Sequence, residues 1–256
     1  MQSYNKIIVS SASEGELLNI TLNAPPGNIL DIEMITEISS AVEQNNASNL
    51  KALVFQGAGK NFSYGASIQE HQKQYATDLL KSFHNLLRRL IEIGKPTFAV
   101  VNGQCLGGGL ELAAFCNFIF AAEDAVFGQP EVKLAVFPPV GSLILPYRIG
   151  QNAADDWVIS GRSISVEEAA KNGLLHSVAA KPDAELQSYL DEHILPKSAI
   201  ALQYAAKVSR FQMYNAFLEN IDKVEKMYLT QLMQTKDANE GVAAFLEKRN
   251  PHWRNS

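Results

Sequence analysis

The spacing of apolar residues changes several times along the chain. Leu17–Leu22 and Lys51–Gly57 are short runs rich in aliphatic residues and read as strands, with a helix-compatible stretch from Asp31 to Gln44 between them. From Thr77 to Ile93, Leu79, Leu80, Phe83, Leu86, Leu87, Leu90 and Ile91 recur at helical spacing, and Gly94 and Pro96 end that pattern. Thr97–Val101 is a β-rich run ending at Asn102-Gly103, and Phe118–Ala122 is another, with Leu110–Phe115 between them as a short buried helix. Strands alternating with helices predict an α/β fold. After Pro196 the pattern becomes almost wholly helix-compatible, from Ser198 to Lys248, with breaks expected near Asn215 and Lys236-Asp237. The chain therefore divides into a core, residues 1–195, and a helical packing or assembly region, residues 196–256.

Composition narrows the function classes. At 256 residues the chain is long enough to bury a sizeable core, and 46% hydrophobic with 19% charged residues is a globular balance, not a disordered one. A net charge of −5 offers no general attraction for nucleic acid. No run of eighteen apolar residues occurs, so no membrane span is expected, and Met1 to Lys6 lacks a leader pattern. The two cysteines, Cys105 and Cys116, do not form a disulfide framework, which points to a reducing, cytoplasmic setting.

Candidate chemistry centres on Gly107-Gly108-Gly109, placed between a strand pattern and a helix pattern, with Glu111 just inside the helix. N–H groups at a helix start can hold a developing oxyanion, and a carboxylate beside them can move protons. Glu131 follows in Gln129-Pro130-Glu131. The plainer reading of the glycines is a tight strand-to-helix turn, and either glutamate taken alone could be a solvated surface residue. Residues 57–67, Gly-Ala-Gly-Lys-Asn-Phe-Ser-Tyr-Gly-Ala-Ser, form a second glycine-rich turn after a strand. It is not a phosphate loop, but it can present backbone donors, with Ser67 capping a helix expected to start at Ile68. His71 either lines a pocket or sits on a surface helix. No Gly-x-Ser-x-Gly elbow, dinucleotide fingerprint or metal-ligand spacing of histidines is present.

Taken in order, these segments resemble the crotonase, or enoyl-CoA hydratase/isomerase, family. The similarity runs through Asn61–Ile68, Ala99–Gly103, Leu106–Leu112 and Phe127–Glu131, then through Gly161–Ser165, Glu168-Ala169 and Gly173-Leu174, to Glu240-Gly241 and Phe245–Arg249. The resemblance implies a spiral of repeated ββα turns with C-terminal helices that build trimers or hexamers. It implies an acyl-CoA thioester as substrate, with no further cofactor. It assigns catalysis to Glu111 and Glu131, and an oxyanion hole to the N–H groups of Tyr64 and Gly108. It places Ala66, Ser67 and Ile68 in the adenine pocket, with Phe245 and Lys248 contacting CoA, often from a neighbouring subunit. In family hydratases the two glutamates hold one water. By that analogy Glu111 deprotonates it and Glu131 exchanges the proton at Cα.

The chain departs from the family pattern at Ser67 (usually Asp), at the bulky Tyr64, and at Pro139 in Phe137-Pro138-Pro139-Val140. Pro139 replaces a glycine whose N–H helps hold the water, and proline has no N–H to give. The runs Ser63–His71 and Phe137–Val140 are similar to those of cyclohexa-1,5-diene-1-carbonyl-CoA hydratases of anaerobic aromatic degradation. The leading expectation is therefore a hydratase acting on a conjugated, cyclic dienoyl thioester. The alternatives are a double-bond isomerase using one glutamate and a non-catalytic CoA-binding scaffold.

Overall fold

The computed structural model describes residues 3–256; Met1 and Gln2, the start of the segment expected to lack a leader pattern, lie outside the described residues. Two strands, β1 (Ile7–Ala12) and β2 (Leu17–Leu22), form an antiparallel hairpin. Helix α1 (Ile32–Gln44) starts at Asp31, whose carboxylate accepts the Met34 N–H at 2.8 Å, an N-cap read directly from the side chain. Strand β3 (Ala52–Gly57) leads through the second glycine turn to α2 (Ala76–Ile93), which ends on Gly94 in the left-handed conformation, φ 63°. Next come β4 (Thr97–Val101), β5 (Gln104–Leu106), α3 (Gly108–Phe115), β6 (Phe118–Ala121) and β7 (Val126–Gly128). After a 3₁₀ turn at Pro130–Leu134 follow α4 (Pro139–Ile149), α5 (Gln151–Ser160), β8 (Ser163–Ser165), α6 (Val166–Lys171), β9 (Ser177–Val178) and α7 (Pro182–Tyr189). The chain closes with α8 (Ala199–Ser209), α9 (Phe211–Thr230) and α10 (Lys236–Leu246).

The large sheet has the order β1-β2-β3-β4-β6-β9 and is parallel beyond the first hairpin; a smaller sheet has the order β5-β7-β8. Four stretches of chain take the same course, from a large-sheet strand to a short extended segment in a second layer and then to a helix. They are β2–Leu30–α1, β3–Ser63 to Ala66–α2, β4–β5–α3 and β6–β7–α4. Neighbouring second-layer segments meet through parallel bridges, Leu30 with Ala66 and Ser63 with Cys105, and then through the β5–β7 pairing. This is the expected α/β spiral of ββα turns.

Both faces of the large sheet are covered, which is why β3 and β4 read as continuous apolar runs. Leu53 and Phe55 point into the main core with residues of α1, α2, α3 and α4. Ala52 and Val54 join Leu17, Phe98, Val100 and Phe120 on the other face, under Leu186, Leu190 and Ile194. Helix α9 packs on α4 and α2, and α10 packs on the Pro130–Leu134 turn. A Cβ on Gly241 would come within 2.2 Å of the Leu134 carbonyl oxygen, so that close approach requires glycine.

Three local expectations are corrected. Asn215 lies inside α9; the break falls at Arg210, whose guanidinium donates to the Cys116 and Asn117 carbonyls at 2.6 and 3.0 Å. After Ser67 there is a single 3₁₀ turn, Gln69–His71, although Ser67 Oγ does accept the Glu70 N–H at 3.3 Å. His71 is buried rather than on a surface helix, with its Nδ1 2.7 Å from the Ser67 carbonyl. Among the described residues, no helix is long and apolar enough to cross a membrane.

Candidate active site

The two glycine turns face each other because they belong to adjacent turns of the spiral. Gly107, between β5 and α3, adopts φ 49° and ψ −127°, a conformation reserved for glycine, and its N–H donates to the Gly128 carbonyl at 2.9 Å. On the other turn Gly65 has φ 103°, and a Cβ there would sit 2.9 Å from the Leu106 carbonyl oxygen and 3.3 Å from the Gly108 nitrogen. Side chains lock this second turn from below. Buried Asn28 donates from Nδ2 to the carbonyls of Ala58, Asn61 and Phe62 at 3.0, 2.9 and 3.2 Å. Ser63 Oγ donates to the Asn28 carbonyl at 2.8 Å and accepts the Gly65 N–H at 3.0 Å.

That arrangement decides which N–H groups remain available. The Tyr64 N–H, expected at an oxyanion hole, donates to the Gly27 carbonyl at 2.8 Å and is committed to the fold. Two residues on, the Ala66 N–H has no acceptor among the described residues, and neither has the Gly108 N–H at the start of α3. A Cβ on Gly108 would lie 3.2 Å from the Ala66 nitrogen, so the two free donors flank one small space. The expectation for Tyr64 is thereby corrected: the unpaired donors are Ala66 and Gly108.

Glu111 and Glu131 converge on the same space. Glu111 is 5% exposed, and its Oε1 accepts the Gly141 N–H at 2.7 Å from the first turn of α4. Burial pushes its pKa up to about 7, against the lowering effect of the Gly141 and Val140 N–H groups. Glu131 stands in the 3₁₀ turn after β7, and one of its oxygens is where a Cβ on Gly107 would come to 2.6 Å. Burial, and then the charge of Glu111, raise its pKa well above the ordinary carboxylate range. The residue as a whole is half-buried, and Gly107 and Gln129 close on its carboxylate. Gln129, fully buried, lies 3.0 and 3.1 Å from the two Glu131 oxygens and donates to both with its NH₂ turned toward them. Two such close carboxylates in a dry site share protons: one is ionised only while the other stays neutral.

A cavity of about 650 Å³ adjoins this centre on the Ala66 side, lined by Tyr64, Ala66, Ile68, Leu106, Phe245 and Arg249 among others, with neither glutamate in its wall. Of the expected CoA-contacting residues, Ala66, Ser67, Ile68 and Phe245 line it, and Phe245 does so from α10 of the same chain. Lys248 does not: it is exposed, with φ 54°, past the end of α10. The cations on the rim are Lys133 and Arg249, the latter also held by Glu240 at 2.8 Å. Pro139 is buried as the first residue of α4, where the missing N–H breaks no helical bond. Tyr64 is 44% exposed, and its ring stands at the cavity mouth.

Sequence reasoning missed Asn28, Gln129, Gly141, Lys133 and Arg249. Only Gln129, two residues before Glu131, carried a local signal.

The chain matches the Enoyl-CoA hydratase/isomerase family over residues 12–256. It is 42% identical over 243 residues to a cyclohexa-1,5-dienecarbonyl-CoA hydratase of Thauera aromatica, a match that covers 94% of both chains. It is 33% identical over 258 residues to a 2,3-dehydroadipyl-CoA hydratase of Escherichia coli (strain K12), covering 98% of this chain and 99% of that one. Among solved structures, an enoyl-CoA hydratase/isomerase from Xanthobacter autotrophicus Py2 superposes with a TM-score of 0.83 at 27% identity, covering 97% and 98% of the two chains.

Proposed function

Since the chain belongs to the enoyl-CoA hydratase/isomerase family, we propose that it adds water across a conjugated acyl-CoA thioester, and that its substrate is a cyclic dienoyl-CoA. The observation that carries the hydratase reading is the meeting of two unpaired N–H donors, Ala66 and Gly108, with two carboxylates whose pKa values burial raises. The thioester oxygen lies between the donors. As the C–O bond forms at the β-carbon, the electron pair of the double bond moves onto that oxygen, and each donor is worth about 3 kcal/mol to the resulting enolate.

Glu111, whose carboxylate accepts the Gly141 N–H at the start of α4, takes the proton released by the water. Glu131, held neutral by burial and by its partner's charge, delivers a proton to the α-carbon, and the electron pair returns from oxygen to carbon. One turnover leaves Glu111 neutral and Glu131 ionised, and solvent exchange resets them. No cofactor takes part. Lys133 and Arg249 at the rim suit the phosphates of CoA, with the apolar cavity wall along its thiol arm. An isomerase that shuttles one proton on one glutamate leaves the second carboxylate without a task.

The cyclic substrate is supported by the 42% identity to the Thauera aromatica enzyme and by Pro139. Proline withholds an N–H from the neighbourhood of the carboxylates, so water is held differently than where glycine stands. Incubation with crotonyl-CoA and with cyclohexa-1,5-diene-1-carbonyl-CoA, followed by absorbance and product mass, tests both levels. Gain of one water on the cyclic thioester at a far higher kcat/KM is expected. Gain on crotonyl-CoA alone removes the cyclic substrate, and gain on neither removes the hydratase. We also propose self-association into a trimer or hexamer, supported by exposed Ile200, Tyr204, Val208 and Phe211 on α8 and α9. Light scattering that returns a monomer mass refutes it.

A further inference from the structure

One buried polar group near the carboxylates has no partner. Tyr228, near the end of α9, is 0% exposed, and its hydroxyl makes no hydrogen bond among the described residues. Buried hydroxyls are nearly always paired, and an unpaired one weakens the fold, so phenylalanine would pack here at less cost. The ring is held edge-on by Phe137 with centroids 5.3 Å apart and faces His71 at 6.5 Å. Phe137 immediately precedes the Pro138-Pro139 entry into α4, the helix that presents the Gly141 N–H to Glu111. The hydroxyl is near enough to Glu131 and Glu111 for both charges to raise its pKa, after burial as the main cause, yet it lies beyond hydrogen-bonding distance of either. The ring also packs with Leu134, Val136 and Phe137, the stretch that joins the Glu131 turn to α4, which leaves an enclosed donor beside that stretch with no acceptor of its own.

We propose that the Tyr228 hydroxyl is a catalytic hydrogen-bond donor that binds the oxygen added to, and removed from, the acyl chain. The inference rests on the hydratase reading. The attacking water directs its two hydrogens at Glu131 and Glu111. One lone pair attacks the β-carbon, and the other accepts from Tyr228. The phenol keeps its proton throughout, so it transfers none and only orients the oxygen. In the reverse direction the same bond steadies the departing hydroxyl. The donor thus comes from the C-terminal helical region.

Tyr228→Phe in the full chain tests this. Hydration, on whichever thioester the wild type hydrates, should fall at least about tenfold. The KM for that thioester should stay within twofold, and the melting temperature should be unchanged or higher. Exchange of the α-hydrogen of butyryl-CoA with deuterium oxide needs only the carboxylates and the two N–H donors, and should be unaffected. Hydration within twofold of wild type overturns the inference, as does an equal fall in exchange or a lowered melting temperature. A wild type that hydrates nothing overturns the hydratase reading itself, and this inference with it, before any variant is made. Should the variant not fold, 3-fluorotyrosine at position 228 keeps the shape. Its fluorine resonance should then move with the hydrated thioester and not with CoA alone; an unmoved resonance overturns the proposal.

Discussion

Replacing Gly107 by alanine separates a packing role from a catalytic one at the centre of the site. The backbone there sits at φ 49° and ψ −127°, so any side chain introduces strain of about 1–3 kcal/mol. The new Cβ would also lie 2.6 Å from Glu131 Oε1, where ordinary contact begins at 3.4 Å, so the carboxylate must retreat by about 0.8 Å. A misplacement near 1 Å of a reacting group costs about a hundredfold in rate. Gly150 supplies the control: its φ is 77°, and nothing lies within 4 Å of a Cβ placed there. Gly150→Ala should therefore lower the melting temperature and leave turnover alone. Gly107→Ala should lower the melting temperature and also cut kcat about a hundredfold with little change in KM. The assay is the initial hydration rate of the preferred thioester beside a thermal melt of each variant. If Gly107→Ala turns over within threefold of Gly150→Ala, the geometry linking this glycine to Glu131 does not govern the reaction.

Glu111 ionises near pH 7 in the fold against 4.5 when free, so the native state binds the extra proton between those values and stability falls as pH rises through that window. The loss is of the order of 3 kcal/mol by pH 8, and Glu111→Gln, which carries no charge, should escape it. The melting advantage of that variant should grow from pH 4.5 to pH 8; a constant difference refutes the burial argument. Asn28→Ala removes three donated hydrogen bonds beneath the second glycine turn. It should cost about 2–4 kcal/mol and slow hydration by loosening the Ala66 donor; calorimetry and initial rates check both. Lys133→Ala should raise KM for the CoA thioester about three- to tenfold at unchanged kcat, less so at high salt, and a change in kcat alone would contradict its place on the rim.

Elements with many residues and one buried stripe were legible. In α2 the run from Leu79 to Leu90 faces the core and Gly94 ends the helix left-handed, so pattern and stop signal agreed. Strands β5, β7 and β8 span three residues each, too short for a period to register, yet β5 and β7 carry the site. Neither glutamate was decisive from its own turn, and only the family resemblance pointed to the one buried space that Glu111 and Glu131 share. The oxyanion donors were only half legible. Tyr64, Gly65 and Ala66 are neighbours in one motif, and the choice among their N–H groups is made by the Gly27 carbonyl and Ser63 Oγ, through contacts that no spacing within the motif reveals. Lys248 lies off this chain's own cavity because α10 ends before it and turns it outward, while Lys133 arrives from the turn beneath α10.

The proposed order of proton movements rests on what opposes burial at each carboxylate. Glu111 lies against the N-terminus of α4, where the N–H groups of Val140 and Gly141 and the helix dipole favour its anion. Glu131 has the Gln129 amide and its own N–H in a single 3₁₀ turn, and it feels the charge of Glu111 as well. Of two carboxylates sharing a dry space, the one at the helix end therefore ionises first and its neighbour keeps the proton. Proline as the first residue of α4 is compatible with this, because the helix does not use that N–H and the two that follow suffice for Glu111. Had Val140 or Gly141 been the proline, Glu111 would lose a donor and the two pKa values would draw together. The chain would then have two weak acids and no designated base. The site thus tolerates proline at one of the first three positions of α4, and that position is 139.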